Sequence, residues 1–493
     1  DLHPAHPGTT TQIYVRNRIT STLLLASRAT GGAGEPGAGS STQPSISADG
    51  RFVAFTSASN NLTDTDGTDT VDVFVRDLQS SRTTLVSRAT DGTPAAGTSN
   101  QPAISPDGRY VAFTSNANNL SDADADGTKD VFLHDRSTGK TSLVSVGGGG
   151  AIAQGDSQNP AISGLGTTVV FESTAPSLVA ADPQPNSDIF AVNPGGAPEL
   201  VSVTTDGSPA AGGSFNPSVS ADGMTVGFES DANLTADSNP AVRDVFVRTR
   251  ATSETQLASK ASGGNGAASD GASDQASVSP EGGFVAFRSA GTNLSSLDAD
   301  PDADVFVRDL SDGALALVSR PKGGPAADGA SGEPFASGAA GTVLFSSTAT
   351  NLTATAPGGG TNVFAASMRS SLGVTATEPP TTTDTYSRFD TDVTCSASCL
   401  VWATGKIIST DTAGNDNVRS AAGYGAQSLS AGSQRRVSVT LLPAARTWLR
   451  QQIAAGRTIS VEIKLQAIGM RGETATGYSR GPLTILAAAP AAN

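Results

Sequence analysis

Aspartates recur at short intervals in three segments of this chain. The three sets are Asp64, Asp66, Asp69 and Asp72, then Asp122, Asp124, Asp126 and Asp130, then Asp298, Asp300, Asp302 and Asp304. A Ca²⁺ ion takes about six to eight oxygen ligands, and carboxylates that alternate along a flexible turn can converge on one ion. The segments therefore predict calcium sites, with Asp182/Asp188 and Asp237/Asp244 as weaker candidates. None matches the twelve-residue EF-hand loop, and solvated turns whose carboxylates cap backbone amides are the alternative.

A possible nucleophile pattern, G-x-S-x-G, occurs once, around Ser479. A hydrolase triad in that setting needs a histidine after the serine, but the only histidines are His3, His6 and His134. Scarcity of histidine also removes most general-base and transition-metal chemistry and leaves carboxylates as acid or base groups. The sequence therefore predicts no catalytic residue and a protein that is not an enzyme.

The two cysteines, Cys395 and Cys399, lie close together in TCSASCLVW. They are too few for a zinc site, so a short-loop disulfide is predicted over two free thiols, and it implies an oxidising compartment. No apolar run is long enough to span a bilayer. Asp1-Leu2 matches Asn61-Leu62 within the repeat described below, so an upstream piece is expected to have been removed. These features predict a secreted protein, extracellular or at the cell surface.

Five Asn-Leu-Ser/Thr triplets have the form of glycosylation acceptors. Their asparagines are Asn61, Asn119, Asn233, Asn293 and Asn351. Because they recur at one point of a repeat, a role in a turn explains them without modification.

One repeat of about 58 residues must position the aspartates and asparagines. Its tightest marker is a phenylalanine in an apolar run, at Phe55, Phe113, Phe171, Phe228, Phe287 and Phe345. A second aromatic series follows an Asp-Val-Phe-like triplet with nearly the same period. Such a repeat, with four short apolar runs, is typical of a β-propeller blade, which must stack on neighbours to bury both faces.

Each repeat is interpreted as four strands. In the first complete copy these are Pro44–Ser47, Phe52–Ser57, Asp72–Asp77 and Thr83–Arg88. The first two strands occur six times and the third seven times, counting both Gln12–Asn17 and Thr361–Ala365. We expect six blades, with the N-terminal half-repeat, which includes Leu23–Arg28, completing the last copy (Pro334–Ser347) and closing the ring. One third strand is then surplus.

The period is lost after residue 370. Residues 371–385 are rich in Pro and Thr and predict a linker. Beyond it, alternating segments at 437–441 and 459–467 predict strands, and the segment from Pro443 to Gly456 predicts a helix. The predicted class is all-β: a six-bladed propeller (1–370), the linker, and a small immunoglobulin-like β-sandwich with one short helix (386–493).

The units SADGRFVAFTS…DVFVRDL and SPDGRYVAFTS…DVFLHDR resemble the TolB-like, WD40-like (PD40-type) propeller repeat over residues 1–370. The longer form, with Asn-Leu and an Asp-rich insert, resembles propellers of secreted actinobacterial proteins, and the tail is similar to an immunoglobulin-like domain found at their C-termini. The resemblance implies an extracytoplasmic propeller used for binding. TolB itself carries a different domain before its propeller, so its envelope roles are not transferred.

The net charge of −15 disfavours nucleic acid, which needs a concentrated basic surface. Aromatic residues make up 5% of the chain and most are the repeat phenylalanines, so aromatic platforms for sugars are missing. The predicted function is a secreted, non-enzymatic binding or scaffold protein whose propeller face engages a protein or cell-surface polymer. One alternative is a filament or surface-layer subunit that assembles by strand exchange. The other is a hydrolase or lyase with carboxylates at the propeller mouth.

Overall fold

The computed structural model describes most of the propeller region and the regular elements of the C-terminal region. Residues outside the description are 1–9, 33, 64–69, 123, 125–126, 149, 151, 165, 181, 183–185, 263–265, 299, 312, 322–323, 338–341, 354–359, 368–373, 377–380, 384–387, 396–398, 411–415, 422–426, 430–433, 441–442, 456–457, 470–473, 483 and 487–493.

Six blades follow a short N-terminal sheet of two strands, Tyr14–Arg16 (β1) and Leu23–Leu25 (β2). Blades 1 to 5 are four-stranded antiparallel sheets in chain order, and blade 6 has three strands. Their strands are β3 (Ser41–Ile46), β4 (Phe52–Ser57), β5 (Asp72–Asp77), β6 (Arg82–Leu85), β7 (Ser99–Ile104), β8 (Tyr110–Ser115), β9 (Asp130–Asp135), β10 (Lys140–Leu143), β11 (Ser157–Ile162), β12 (Val169–Ser173), β13 (Asp188–Val192), β14 (Glu199–Leu200), β15 (Ser214–Val219), β16 (Thr225–Ser230), β17 (Asp244–Thr249), β18 (Glu254–Leu257), β19 (Ser273–Val278), β20 (Phe284–Ser289), β21 (Asp304–Asp309), β22 (Leu315–Leu317), β23 (Ser331–Ser337), β24 (Thr342–Ser347) and β25 (Asn362–Ser367).

The repeated phenylalanines form the centre of every blade. The second-strand and third-strand phenylalanines are cross-strand partners, such as Phe55 with Phe74, and their rings stack with centroids 5.7 to 6.1 Å apart in all six blades. Valines on either side of Phe74 point to the opposite face and pack against the next blade. Burial of both faces explains why the strands are continuous apolar runs, as the repeat predicts.

A serine-aspartate hydrogen bond closes each complete blade. The aspartate that begins the third strand accepts a hydrogen bond through Oδ1 from a serine just after the fourth strand, at 2.5 to 2.7 Å. These pairs are Asp72–Ser87, Asp130–Ser145, Asp188–Ser202, Asp244–Ser259 and Asp304–Ser319. The same serine oxygen accepts the next backbone N–H, for example that of Val73 at 2.9 Å.

The predicted closure of the ring by both termini is wrong, although the count of six blades is confirmed. β1 and β2 pair with each other, and Ile13 and Ala26 beside them pack on blade 1 against Val53 and Phe55. Blade 6 takes its third strand, β25, from its own repeat. β25 follows β24 through a connection like those in the other blades, so its pairing closes a far shorter loop than pairing with the N-terminal half-repeat.

The outward face of blade 6 is therefore uncovered. Val363 in β25 is 79% exposed, whereas its equivalent Val73 is 0% exposed beneath blade 2. Phe335 on the same blade is 56% exposed. On the opposite side of the series, Ile46 in β3 is 43% exposed, while its equivalent Ile104 is 5% exposed.

The asparagines of four Asn-Leu triplets hold the chain that enters their blades. Asn119 accepts the N–H of Ala96 at 2.8 Å and donates to the carbonyl of Pro94 at 2.8 Å. Asn61, Asn293 and Asn351 make the same two-sided bridge to residues 23 and 25 positions earlier. The predicted structural role is thus more than a local turn: the side chain joins two separate loops.

The C-terminal region contains two five-stranded sheets and a helix. Its elements are β26 (Val374–Ala376), β27 (Thr381–Thr383), β28 (Arg388–Cys395), β29 (Cys399–Thr410), β30 (Asp416–Ala421), β31 (Gln427–Leu429), β32 (Gln434–Thr440), α1 (Pro443–Ala454), β33 (Thr458–Gly469), β34 (Thr474–Pro482) and β35 (Thr484–Leu486). The predicted helix and the two predicted strands are confirmed, and β26 and β27, within the predicted linker, pair with β28. The immunoglobulin-like assignment stays a prediction.

No helix in the described part of the chain is long and apolar enough to cross a membrane.

Candidate functional site

The first strands of the blades line the centre of the propeller. First strands of consecutive complete blades contact one another, as β3 does with β7 and β7 with β11, and β19 contacts β23 in the same way. Each first strand contains a β-bulge, where its register against the second strand shifts, for instance between Thr42 and Ser45. Bulges re-aim side chains and recur next to functional sites.

The third residue of every first strand has a left-handed backbone. The six residues, here called the channel row, are Gln43 (φ 51°), Gln101 (φ 52°), Asn159 (φ 51°), Asn216 (φ 49°), Gln275 (φ 56°) and Glu333 (φ 49°). A non-glycine residue in this region costs about 1 kcal/mol or more, so surrounding contacts must hold it. In five of the six blades the next residue is proline, which has no N–H to lose where the ladder is interrupted.

Hydrogen bonds between blades hold this backbone. The N–H of Gln101 donates to Gln43 Oε1 at 3.0 Å, and that of Asn159 donates to Gln101 Oε1 at 3.2 Å. In the same way, the N–H of Glu333 donates to Gln275 Oε1 at 2.6 Å. Each blade therefore positions the bulge of the next, and the channel row is a rigid, polar and partly exposed surface.

In blades 3 and 4 a second-strand glutamate takes over this acceptor role. Glu172 Oε2 accepts the N–H of Asn216 at 3.0 Å, and Glu229 Oε1 accepts the N–H of Gln275 at 2.6 Å. Glu229 is 1% exposed, and burial raises its pKa, while the N–H of Gln275 and the Asn216 amide oppose that shift. Both carboxylates serve as anchors for backbone amides.

Two arginines stand beside these acids. Arg288 forms a two-point ion pair with Asp274 at 2.5 and 2.7 Å. Arg243 contacts Glu229 at 3.4 Å and Asp231 at 2.8 Å. Blades 4 and 5 therefore add fixed charges of both signs to a row of amides in blades 1 to 3, which suits recognition of a polar partner.

Sequence reasoning missed the channel row. A signal for it exists, because each first strand begins with Ser, a variable residue and then Gln, Asn or Glu, usually before Pro. The left-handed conformation and the contacts between blades do not follow from these letters.

The structure separates the twelve predicted calcium ligands into three groups. Buried ones are Asp72, Asp124, Asp130, Asp298 and Asp304. Asp122 and Asp302 are exposed, and Asp300 is half-buried. Asp64, Asp66, Asp69 and Asp126 lie outside the described residues. A further pair, Asp182 and Asp188, is buried in blade 3, although the sequence ranked it as a weaker candidate.

The remaining sequence candidates fall in the C-terminal region. Ser479 lies inside β34, paired with Ile463 of β33, whereas the nucleophile pattern requires a turn between a strand and a helix. Cys395 ends β28 and Cys399 begins β29. Their side chains lie outside the described part of the structure, so the disulfide stays a prediction.

No family model and no curated protein sequence matches this chain. Among solved structures, it is similar to a protein from Agrobacterium tumefaciens provisionally identified as TolB, at 16% identity and a TM-score of 0.38, covering 63% of this chain and 89% of that one. It is also similar to the extracellular domain of a one-component system from B. thetaiotaomicron, at 8% identity and a TM-score of 0.32, covering 95% of this chain and 53% of that one.

A third similar structure is the GH74 xyloglucanase from Xanthomonas campestris, at 10% identity and a TM-score of 0.31, covering 56% of this chain and 38% of that one. At these values the similarities carry no inference about function.

Proposed function

We propose that this chain is a secreted, non-enzymatic binding protein whose channel row and adjacent charged pairs contact a protein or a cell-surface polymer. The observation that carries the proposal is the set of hydrogen bonds between blades that holds five of the six left-handed residues. These bonds fix a polar surface before any partner arrives, and preorganisation lowers the entropic cost of binding. The predicted disulfide supports an extracellular location.

The roles of Glu172 and Glu229 favour binding over catalysis. A general acid or base must present its carboxyl group to a substrate, whereas these two groups face backbone N–H donors of the next blade. The hydrolase or lyase alternative would need these buried acids to exchange structural partners for substrate.

The test immobilises three forms of the full chain and compares the macromolecules that each form retains from culture medium. Glu333→Arg reverses the charge of an exposed side chain in the channel row, and Glu254→Arg makes the same change on an exposed outer strand of blade 4. We expect one macromolecule to be retained by the wild type and by Glu254→Arg, and lost from Glu333→Arg. Equal retention by all three forms would place the binding surface elsewhere.

An activity screen on glycans and esters separates the enzymatic alternative. Turnover by the wild type that disappears in Glu229→Gln would replace the binding proposal, since that variant keeps an oxygen acceptor for the N–H of Gln275 and removes only the acid.

Self-assembly is a second candidate function, favoured by the uncovered face of blade 6. Phe335 and Val363 are exposed on the side that other blades cover with a neighbour. The complementary feature is the first strand of blade 1, where Ile46 is exposed beside the part of that blade covered by the N-terminal sheet, so the proposed occupant is this edge of blade 1 in a second copy. A contact between two different faces repeats from copy to copy and builds a filament unless it closes.

A further inference from the structure

Pairs of buried aspartates six residues apart occur between the second and third strands of three blades. The pairs are Asp124/Asp130 in blade 2, Asp182/Asp188 in blade 3 and Asp298/Asp304 in blade 5, and all six side chains are at most 2% exposed. The first member of each pair closes the same turn, as when the N–H of Asp298 donates to the carbonyl of Ser295 at 3.1 Å. The carboxylate that follows this turn is buried, as is the second one.

The second member uses only one oxygen in the serine-aspartate hydrogen bond. The equivalent aspartates of blades 1 and 4 use both oxygens. Oδ2 of Asp72 accepts a hydrogen bond from Thr70 Oγ1 at 2.9 Å, and Oδ2 of Asp244 accepts one from the N–H of Asn239 at 2.9 Å. In blades 3 and 5, by contrast, no described donor reaches Oδ2 of Asp188 or Asp304. Oδ1 of Asp298, the other carboxylate of blade 5, is also buried without a described donor.

The N-terminal sheet and blade 4 show which group occupies the space beside this carboxylate oxygen. In the N-terminal sheet, Gln12 replaces the aspartate: its Oε1 accepts from Ser27 Oγ at 2.6 Å, and its Nε2 donates to the carbonyl of Gly37 at 3.0 Å. In blade 4 the Nδ2 of Asn239 donates to the carbonyl of Ser269 at 2.9 Å. An N–H group thus lies between acceptor oxygens in both.

In blades 3 and 5, Oδ2 of the second aspartate has no described donor in the corresponding position. Ala210 and Ala327 occupy the positions of Gly37 and Ser269, because the N–H of each donates to the serine of the serine-aspartate pair in the same way. The repeat therefore puts their carbonyls where an amide donor is bonded in the other two. The two carboxylates of each pair are close enough for the first to raise the pKa of the second, and a bound cation would stabilise this arrangement.

The electrostatics agree with this geometry. Burial raises the pKa of Asp304 to about 7, and the charge of Asp298 adds to the shift. Burial likewise raises the pKa of Asp188 to about 7, with Asp182 adding to it. Two buried carboxylates without a counter-charge are unfavourable, and a bound cation removes that penalty.

We propose that the Asp298/Asp304 pair and the Asp182/Asp188 pair each bind one Ca²⁺ ion, with main-chain carbonyls and solvent as further ligands. Within the described residues no cluster of three or more acidic, histidine or cysteine side chains is arranged to hold a metal, so each site has two carboxylates. Ca²⁺ fits better than Mg²⁺, because Ca²⁺ accepts irregular coordination by oxygen ligands whereas Mg²⁺ demands near-ideal octahedral geometry.

Calorimetric titration of the chelator-treated full chain with CaCl₂ tests the proposal. We expect binding to the wild type, with one ion fewer per chain in Asp298→Asn. Asp244→Asn in blade 4 is the matched control, because its Oδ2 already has the N–H of Asn239 and its first-aspartate position is Ser238; it should leave the number of ions unchanged.

Asp182→Asn repeats the test in blade 3 if the blade 5 variant misfolds. The melting temperature of the wild type should also rise with calcium, since an ion bound only by the folded state stabilises it. Absence of calcium binding by the wild type at millimolar concentration overturns the proposal, as does unchanged stoichiometry in both Asp298→Asn and Asp182→Asn. The binding proposal for the channel row is unaffected by either result, because the sites share no residue.

Discussion

A single position compared across the blades shows what its side chain does. The third strand carries Arg76, Arg248 and Arg308 at the position where blade 2 has His134. Arg76 and Arg248 donate to the hydroxyl of a fourth-strand threonine at 3.1 and 3.0 Å, and His134 Nδ1 lies 2.9 Å from the equivalent Thr141 Oγ1. The histidine keeps the hydrogen bond but replaces a permanent cation with a titratable group.

Protonation of His134 should destabilise the fold in mild acid. Burial, followed by the positive charges of Arg88 and Arg136, lowers the pKa of His134 to about 4. The unfolded chain binds this proton with a pKa near 6.5 and the folded chain does not, so stability is lost as the pH falls from about 6.5 to about 4. The loss should reach about 3 kcal/mol at most.

Urea unfolding at pH 7 and pH 5 measures this effect, with His134→Gln as the comparison. Glutamine can still bond Thr141 but takes up no proton, so the stability of the variant should depend less on pH over this interval. Equal pH dependence in both proteins would mean that His134 titrates normally in the folded chain.

At the scale of strands, the sequence predicts best where apolar pattern alone decides the structure. The second and third strands of blade 1 have the predicted bounds, Phe52–Ser57 and Asp72–Asp77. The fourth strand ends at Leu85, three residues before the predicted end, because Ser87 leaves the ladder to bond Asp72 and the N–H of Val73. Polar side chains that replace ladder bonds are invisible to a count of apolar residues.

The candidate sites divide in the same way. The spacing of the aspartates predicts the location of the candidate sites. It does not predict which aspartates are buried, because burial depends on a turn and on the serine after the fourth strand. The channel row was missed because its residues are ordinary amides whose function arises from backbone conformation and from contacts between blades.

The asparagine bridges should make a measurable contribution to stability. Asn119→Ala removes two hydrogen bonds, to the N–H of Ala96 and the carbonyl of Pro94, and should lower the free energy of unfolding by about 1 to 2 kcal/mol. Chemical denaturation measures the change.

Asn233 provides the matched control, because it lies in the same Asn-Leu triplet but its described hydrogen bond is a local one from Ser238 at 3.3 Å. Asn233→Ala should therefore cost clearly less than Asn119→Ala. A similar loss in both would show that the bridge between loops adds nothing beyond the turn.

At the scale of the whole molecule, counting strands gave the correct number of blades and the wrong arrangement at the ends of the series. Seven third strands were divided among six blades on the assumption that the termini must meet. The structure instead assigns β25 to blade 6 and keeps β1 with β2. Pairing of β25 with β24 is favoured because the loop between them is short. Blade 6 is left with an open face as a result.

That open face predicts concentration-dependent self-association of the purified chain. Phe335 and Val363 are 56% and 79% exposed, and the first strand of blade 1 in another copy, where Ile46 is exposed, would cover them. Light scattering coupled to size-exclusion chromatography should show assemblies that grow with concentration and are lost in the double variant Phe335→Ser/Val363→Ser. Met224→Ser/Leu297→Ser, which removes two exposed apolar side chains elsewhere, should leave assembly intact. A monomer at every concentration, or equal loss of assembly in both double variants, would reject this face as the contact.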